Sequence, residues 1–370
     1  MSAVQPKKTQ REMVTAVQAC PEAVARLLQL LTIPDDDDTQ LAALEALRHL
    51  CKVDYSGRNE PPLQLANQPG VCDTLVRLMQ EGNATLEAAA VACVLAATEC
   101  REACSGPWGP SLTSPSSWPV MSALVAVLQS TAALVLAKAD AAWAMSSLVD
   151  MFPGAAEVHP VTQAAIKPLV ALLVHEDKQV RYGAAWAAET LAECCPINQS
   201  LVGAEPGTIG RLWQVAKKFT STMIGFASLI RGHSIYQSQL MDQDSFMEDL
   251  LELLVDEKIV QSCVIDLLSV LEDNPDFVLR LCNTPSAVPT LTAALNPDSE
   301  SQSTNRQHLA LLLAMLKRQP STIPTISQQP GVLKTLQQLS AARTVDEFDG
   351  ATKQQYPDAS SLLQLVQQLA

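Results

Sequence analysis

Leucine-led apolar quintets recur along the whole chain in the form leucine, apolar, any residue, apolar, apolar. They read Leu27-Leu28-Gln29-Leu30-Leu31, Leu75-Val76-Arg77-Leu78-Met79, Leu124-Val125-Ala126-Val127-Leu128, Leu169-Val170-Ala171-Leu172-Leu173 and Leu250-Leu251-Glu252-Leu253-Leu254, with weaker copies from Leu212, Leu291 and Leu336. Apolar residues at this spacing form the buried stripe of an amphipathic helix. The eight leading leucines are 38 to 49 residues apart. That period belongs to solenoids built from two or three helices per repeat.

A second signal shares the register. Pro21, Pro69, Pro206, Pro285 and Pro330 each stand six residues before a leading leucine. Proline fits the first turn of a helix, where its preset φ helps and its missing N–H costs nothing, so the spacing predicts a proline-opened helix in five copies. Gln68-Pro69-Gly70-Val71 and Thr74-Leu75 return as Gln329-Pro330-Gly331-Val332 and Thr335-Leu336. Each leading helix is followed by a polar break: Pro34 to Asp38, Glu81-Gly82-Asn83, His175 to Lys178, Asn296 to Ser299. Asp, Asn and Ser in these breaks are ready N-caps for a second, longer helix. No single copy can bury its apolar face alone, so neighbouring copies must stack.

Ala165-Ile166, Pro168-Leu169-Val170 and Leu172-Leu173, a polar break, then Val180, Ala184-Ala185-Trp186-Ala187 and Leu191-Ala192 together resemble one complete armadillo repeat. The stretch Ser130 to Val135, Ala139, Ala142-Trp143 and Leu148 follows the same plan. The resemblance spans about residues 20 to 340, is strongest over 119–205, and is weakest over 209–245, where Gly225 and Gly232 interrupt the pattern. HEAT repeats share much of the signal. The expected fold is all-α: a right-handed α-solenoid of about eight armadillo/HEAT-like repeats, closed by a C-terminal capping helix. The expected organisation is a flexible tail over 1–11, the solenoid over 12–340, a polar linker over 341–356 and the capping helix over 357–370.

The resemblance implies a groove lined by the last helix of each repeat, in which an extended peptide lies. In the nuclear import adaptors of the family, Trp followed four residues later by Asn clamps that peptide. Here Trp143 is followed by Ser147 and Trp186 by Thr190, with His308 at the comparable place in the seventh copy. The Trp half of the ladder is present in two copies and the Asn half in neither, which disfavours an import adaptor. Trp143 and Trp186 are candidate groove anchors, packing in the core being the other reading of both. Ser147, Arg181, Glu189 and Thr190 are their candidate polar neighbours.

Charge and chemistry narrow the function. Hydrophobic residues make up 48% of the 370 residues and the net charge is −14. An acidic chain lacks the Lys and Arg clusters that neutralise phosphates, so nucleic acid is excluded as a partner and a basic polypeptide is favoured. The ten cysteines form no Cys-x-x-Cys pair and mostly fall in apolar helical runs, as small hydrophobes do. That usage, with no apolar run near Lys7, Lys8 and Arg11, points to a reducing compartment, the cytoplasm or the nucleus. Val120 to Ala137 carries no charge, but polar Gln129-Ser130-Thr131 in its middle reads as a turn between two buried helices rather than a membrane span.

There is no phosphate-binding glycine loop, and Gly232-His233-Ser234 lacks the second glycine of a nucleophile elbow, Tyr236 standing in its place. No two of the five histidines share the i,i+4 spacing of a helical metal pair. The pair Cys100 and Cys104 has that spacing and reads as packing. The sequence therefore points to a non-enzymatic scaffold with no cofactor, no metal and no small-molecule substrate. Its expected partner is a protein or extended peptide. A chaperone cofactor resembling the armadillo-type nucleotide exchange factors is the alternative.

Overall fold

The computed structural model describes residues 22–34, 36–51, 70–98, 118–151, 160–255, 261–293 and 332–341, with isolated positions 312, 315, 363 and 364. Every regular element among them is helical. The chain packs as two compact units, Met1–Thr208 and Ile209–Ala370. Cys100, Cys104, His308, the N-terminal tail and the polar linker lie outside the described residues; of the capping helix only Leu363 and Gln364 are described, and both are helical.

The first unit holds α1 (Ala23–Leu30), α2 (Asp37–Cys51), α3 (Val71–Glu81), α4 (Ala84–Thr98), α5 (Pro119–Gln129), α6 (Val135–Met151), α7 (Pro160–Leu172), α8 (Lys178–Cys194) and α9 (Pro196–Ala204). Helices α3, α5, α7 and α9 stack successively in one layer, and α2, α4, α6 and α8 in a second. Short polar turns join the layers, and those before α4 and α8 cap the helix that follows. Asn83 accepts from the amides of Thr85 and Leu86 at 2.9 and 3.0 Å, and Asp177 from those of Gln179 and Val180 at 2.7 and 3.3 Å. The uncharged run from Val120 is split as its polar middle requires: α5 ends at Gln129, and the Ser130 hydroxyl accepts from the amides of Ala132 and Ala133. Among the described residues no helix is long and apolar enough to cross a membrane.

The second unit holds α10 (Thr208–Ala216), a 3-10 turn at Thr220–Thr222, α11 (Met223–Ile230), α12 (Ser234–Met241), α13 (Phe246–Val255), α14 (Gln261–Leu271), α15 (Pro275–Asn283), α16 (Ala287–Ala293) and α17 (Val332–Ala341). Here three helices repeat together. Helix α11 packs on α14, and α13 on α16. Helices α12 and α15 are tied by the Asn274 amide donating to Gln237 at 2.6 Å and by Arg280 donating to the carbonyl of Met241. Ser234 to Pro275 and Phe246 to Ala287 are each a step of 41 residues. A step of this length falls in the range of armadillo/HEAT repeats, about 40–47 residues.

The leading leucines are the backbone of both cores. Leu75, Leu124, Leu169, Leu212, Leu250, Leu291 and Leu336 are each 0% exposed; Leu27 alone is half-buried. The expected place of the prolines needs correction. The helix begins two residues after the proline in every copy, at Ala23, Val71, Thr208, Ala287 and Val332. Pro206 and Pro285 lie in turns. Gly70 and Gly207, each the residue after a proline, have φ of 72°. A proline followed by a left-handed glycine in a turn, as at Pro206-Gly207, is the type II pattern, and there the pair lies outside the helix that it precedes.

Consecutive repeats are also tied by side chains reaching back about one period. Arg77 donates to the carbonyl of Leu31 at 2.8 Å, Asn83 to the carboxylate of Asp37 at 2.7 Å and Cys93 to the carbonyl of Leu44 at 3.2 Å. Burial pushes the thiols of Cys72 and Cys93 up to about 12, which keeps both protonated and inert.

Candidate functional site

Most of α6 and α8 is buried in small residues, and uncovered positions recur at helical spacing. One such stripe on α6 holds Asp140, Trp143, Ser147 and Asp150, and one on α8 holds Tyr182, Trp186, Thr190 and Glu193; Val135, Leu136, Lys138 and Met151 of α6 and Lys178, Gln179, Arg181 and Cys194 of α8 are uncovered as well. Both stripes belong to the same layer, so they form one open face. Gly183 brings the two helices together: a Cβ there would stand 3.2 Å from the carbonyl oxygen of Ala139 and 3.2 Å from the Trp143 ring. That close approach stacks three aromatic rings. Trp143 meets Tyr182 edge-on with centroids 5.0 Å apart and lies 5.8 Å from Trp186, while Tyr182 meets Trp186 edge-on at 6.3 Å. Such pairs contribute about 0.5–1.5 kcal/mol beyond their buried area. All three rings are half-buried: neither core residues nor free side chains.

The polar candidates divide. The Thr190 hydroxyl donates to the carbonyl of Trp186 at 2.9 Å, within its own helix. Ser147 is half-buried beside Trp143 on α6. Arg181 turns away from the rings. Its guanidinium donates to the carbonyls of His175 and Glu176 at 2.6 and 2.7 Å and braces the turn into α8. Glu189 is 3% exposed, with one carboxylate oxygen buried and unpartnered among the described residues. Desolvation, and after it the negative charge of Glu193, hold its carboxyl well above the usual carboxylate range. Its neutral form is therefore favoured. His308 lies outside the described residues. Tyr182, which completes the cluster, was not among the candidates from sequence; its position four residues before Trp186, on the same helical face, was the available signal.

The open face is acidic. The two stripes carry Asp140, Asp150 and Glu193 and no Lys, Arg or His; Glu189 is buried with its neutral form favoured and adds no charge to the face, and Lys138, Lys178 and Arg181 lie on the same helices outside the stripes. Aromatic faces beside carboxylates attract cations and apolar side chains. Nothing in this arrangement forms a nucleophile–base pair, and among the described residues no group of three or more His, Cys, Asp or Glu side chains could hold a metal ion.

No protein-family model matches the sequence, and no curated protein matches it. Solved structures do. The crystal structure of an engineered protein aligns with 99% of this chain and 96% of its own, at 18% identity and a TM-score of 0.60. UNC-45 from Drosophila melanogaster aligns with 97% of this chain at 12% identity and a TM-score of 0.62; the chain spans 48% of that protein. A designed armadillo repeat protein matches at 17% identity over 78% of this chain and 98% of its own, with a TM-score of 0.41. At these identities the likeness is one of fold. The chain is an all-α solenoid with the repeating helix packing of armadillo/HEAT-type proteins.

Proposed function

We propose that the chain is a non-catalytic scaffold that binds a partner polypeptide across the open face of α2, α4, α6 and α8. The observation that carries this reading is the half-buried cluster of Trp143, Tyr182 and Trp186. Large aromatic side chains left uncovered at the centre of a face are the residue types that dominate binding energy between proteins. The acids along the same stripes, with no basic residue between them, favour an extended partner segment that carries Lys or Arg. Arg181 belongs to the turn rather than to the contact, and Trp143, Tyr182 and Trp186 form its centre. The free thiols of the described cysteines suit a reducing compartment, the cytoplasm or the nucleus.

The test is fluorescence anisotropy with a labelled hexalysine peptide, alongside capture of partners from the native cell, using Trp143→Ala and Trp186→Ala. Loss of a central aromatic anchor costs on the order of 2 kcal/mol or more, about thirtyfold in affinity. Full retention of binding by variants with unchanged helicity removes the assignment.

A further inference from the structure

The first unit carries a second, differently charged concavity. A cleft of about 570 Å³ opens between the end of α5, the start of α6 and the length of α7. Lys138 and Lys167 line it with Gln129 and Gln163, and its lining includes no Asp or Glu. In a chain with 39 acidic and 25 basic residues, a lining with two lysines and no acid is a local reversal of sign. Neither ammonium has a hydrogen bond or ion pair among the described residues. Glu87 of α4 is the acid that feels Lys138: burial raises its carboxyl and the lysine charge opposes that rise.

The cleft also offers a backbone acceptor. Pro168 stands inside α7 and has no amide hydrogen to give to the carbonyl of Ala164, four residues back. Ala164 and Pro168 both line the cleft. Leu128, Ala171 and Leu172 give its lining an apolar part, and three large apolar residues close in sequence to the lining are exposed. Leu134, which accepts the Lys138 amide, is 45% exposed, Leu136 67% and Val174 63%.

The geometry points to this cleft as a binding site for a carboxylate-bearing, otherwise apolar polypeptide segment. The two ammonium groups take the carboxylates. The Ala164 carbonyl and the glutamine amides match the N–H and C=O groups of an extended backbone, and the leucines cover apolar side chains. A long polyanion is disfavoured because the chain's net charge of −14 repels it beyond the reach of two lysines. The site stands independently of the aromatic face, which selects the opposite charge.

Three fluorescein-labelled peptides of the same length test it: one alternating Leu with Glu, and counterparts with Gln or Lys in place of Glu. Anisotropy is expected to show binding of the Glu peptide, weakening as salt screens the lysines, and none of the Gln peptide; any binding of the Lys peptide belongs to the aromatic face and is expected to fall in Trp186→Ala and not in the lysine variants. The double variant Lys138→Glu with Lys167→Glu is expected to lose affinity for the Glu peptide at least tenfold. The milder Lys138→Gln with Lys167→Gln is expected to lose several-fold, and Trp186→Ala to change nothing for that peptide. Because both lysines face solvent, circular dichroism of the variants should match the parent. Undiminished Glu-peptide binding by either folded double variant overturns the proposal. So does equal binding of the Gln peptide, or equal affinity for inorganic phosphate or a single-stranded oligonucleotide. Loss of Glu-peptide binding in Trp186→Ala alone would place the contact on the aromatic face and overturn it as well.

Discussion

Each unit contains one cluster of three aromatic rings centred on tryptophan, and the two clusters have opposite fates. In the first unit Trp143, Tyr182 and Trp186 sit with centroids 5.0 to 6.3 Å apart and stay half-buried. In the second, Trp213 lies 5.0 Å from Phe246 and 6.2 Å from Phe226, and all three are 0% exposed. The centroid spacings are similar; what differs is the exposure. Beside the second cluster, Lys217 pairs with Asp249 at 2.7 Å and Ser245 donates to the same carboxylate at 2.8 Å, which spans α10 and α13. Beside the first, small alanines and Gly183 hold two helices together and leave the rings uncovered. The same residue type therefore serves stability in one place and is left available for contact in the other.

The largest test of that contrast is truncation. Trp213→Ala should destabilise by about 3–5 kcal/mol, the range for a large aromatic removed from a core. Trp186→Ala should cost well under half of that while abolishing partner capture. Equal losses in urea unfolding would erase the distinction between the clusters. Next in size is Gly183→Leu, which forces apart backbone and ring already at 3.2 Å and should cost about 1–3 kcal/mol. The tryptophan emission should shift to the red as Trp143 is displaced; an unchanged spectrum would detach the glycine from the cluster.

Two acids, one in each unit, differ in the sign of their pH response. Glu189 has a folded-state value raised above its ordinary 4.5. Its stabilising contribution is full below about that pH and is lost as pH rises toward its folded value. Glu189→Gln should therefore stabilise the chain at neutral pH, by about 1–2 kcal/mol, and the gain should shrink in acid. Asp249 behaves in the opposite way. Burial raises its carboxyl, but hydrogen bonds from Lys217 and Ser245 and the lysine charge outweigh that and hold it below its ordinary 3.8. Its contribution is present above that pH and is lost as pH falls through its folded value. Asp249→Asn should cost about 0.5–1 kcal/mol near neutrality, a difference that closes in strong acid. Thermal melts of both variants from acid to neutral pH check the two signs.

The repeat was legible because burial follows a period that one strand of text can display. Even the weak copies at Leu212, Leu291 and Leu336 gave leucines with no exposure. The caps at Asn83 and Asp177 were legible for the same local reason. The prolines were found but misplaced by one element of detail, since the left-handed glycine that follows two of them turns the motif into a loop. What the sequence could not display lies across helices. Helical spacing assigns Trp186 to a face and says nothing of what that face meets, so the core and groove readings stayed level. Arg181 was a candidate polar neighbour of Trp186 by its place in the same helix, whereas its guanidinium reaches back to the carbonyls of the preceding turn. Lys138 and Lys167 fall in different repeats, 29 residues apart in sequence, and only the stacking of α5, α6 and α7 brings them to one cleft.

The side-chain ties between repeats have a direction. Arg77, Asn83, Cys93, Asn274 and Arg280 all donate to acceptors in the preceding repeat; Lys217 to Asp249 and Cys282 to the carbonyl of Met315 run the other way. A chain that emerges from its N-terminus thus presents each new repeat with acceptors already in place, so assembly has a built-in reading direction. A repeat moved to another position in the array would arrive with its donors facing the wrong sockets.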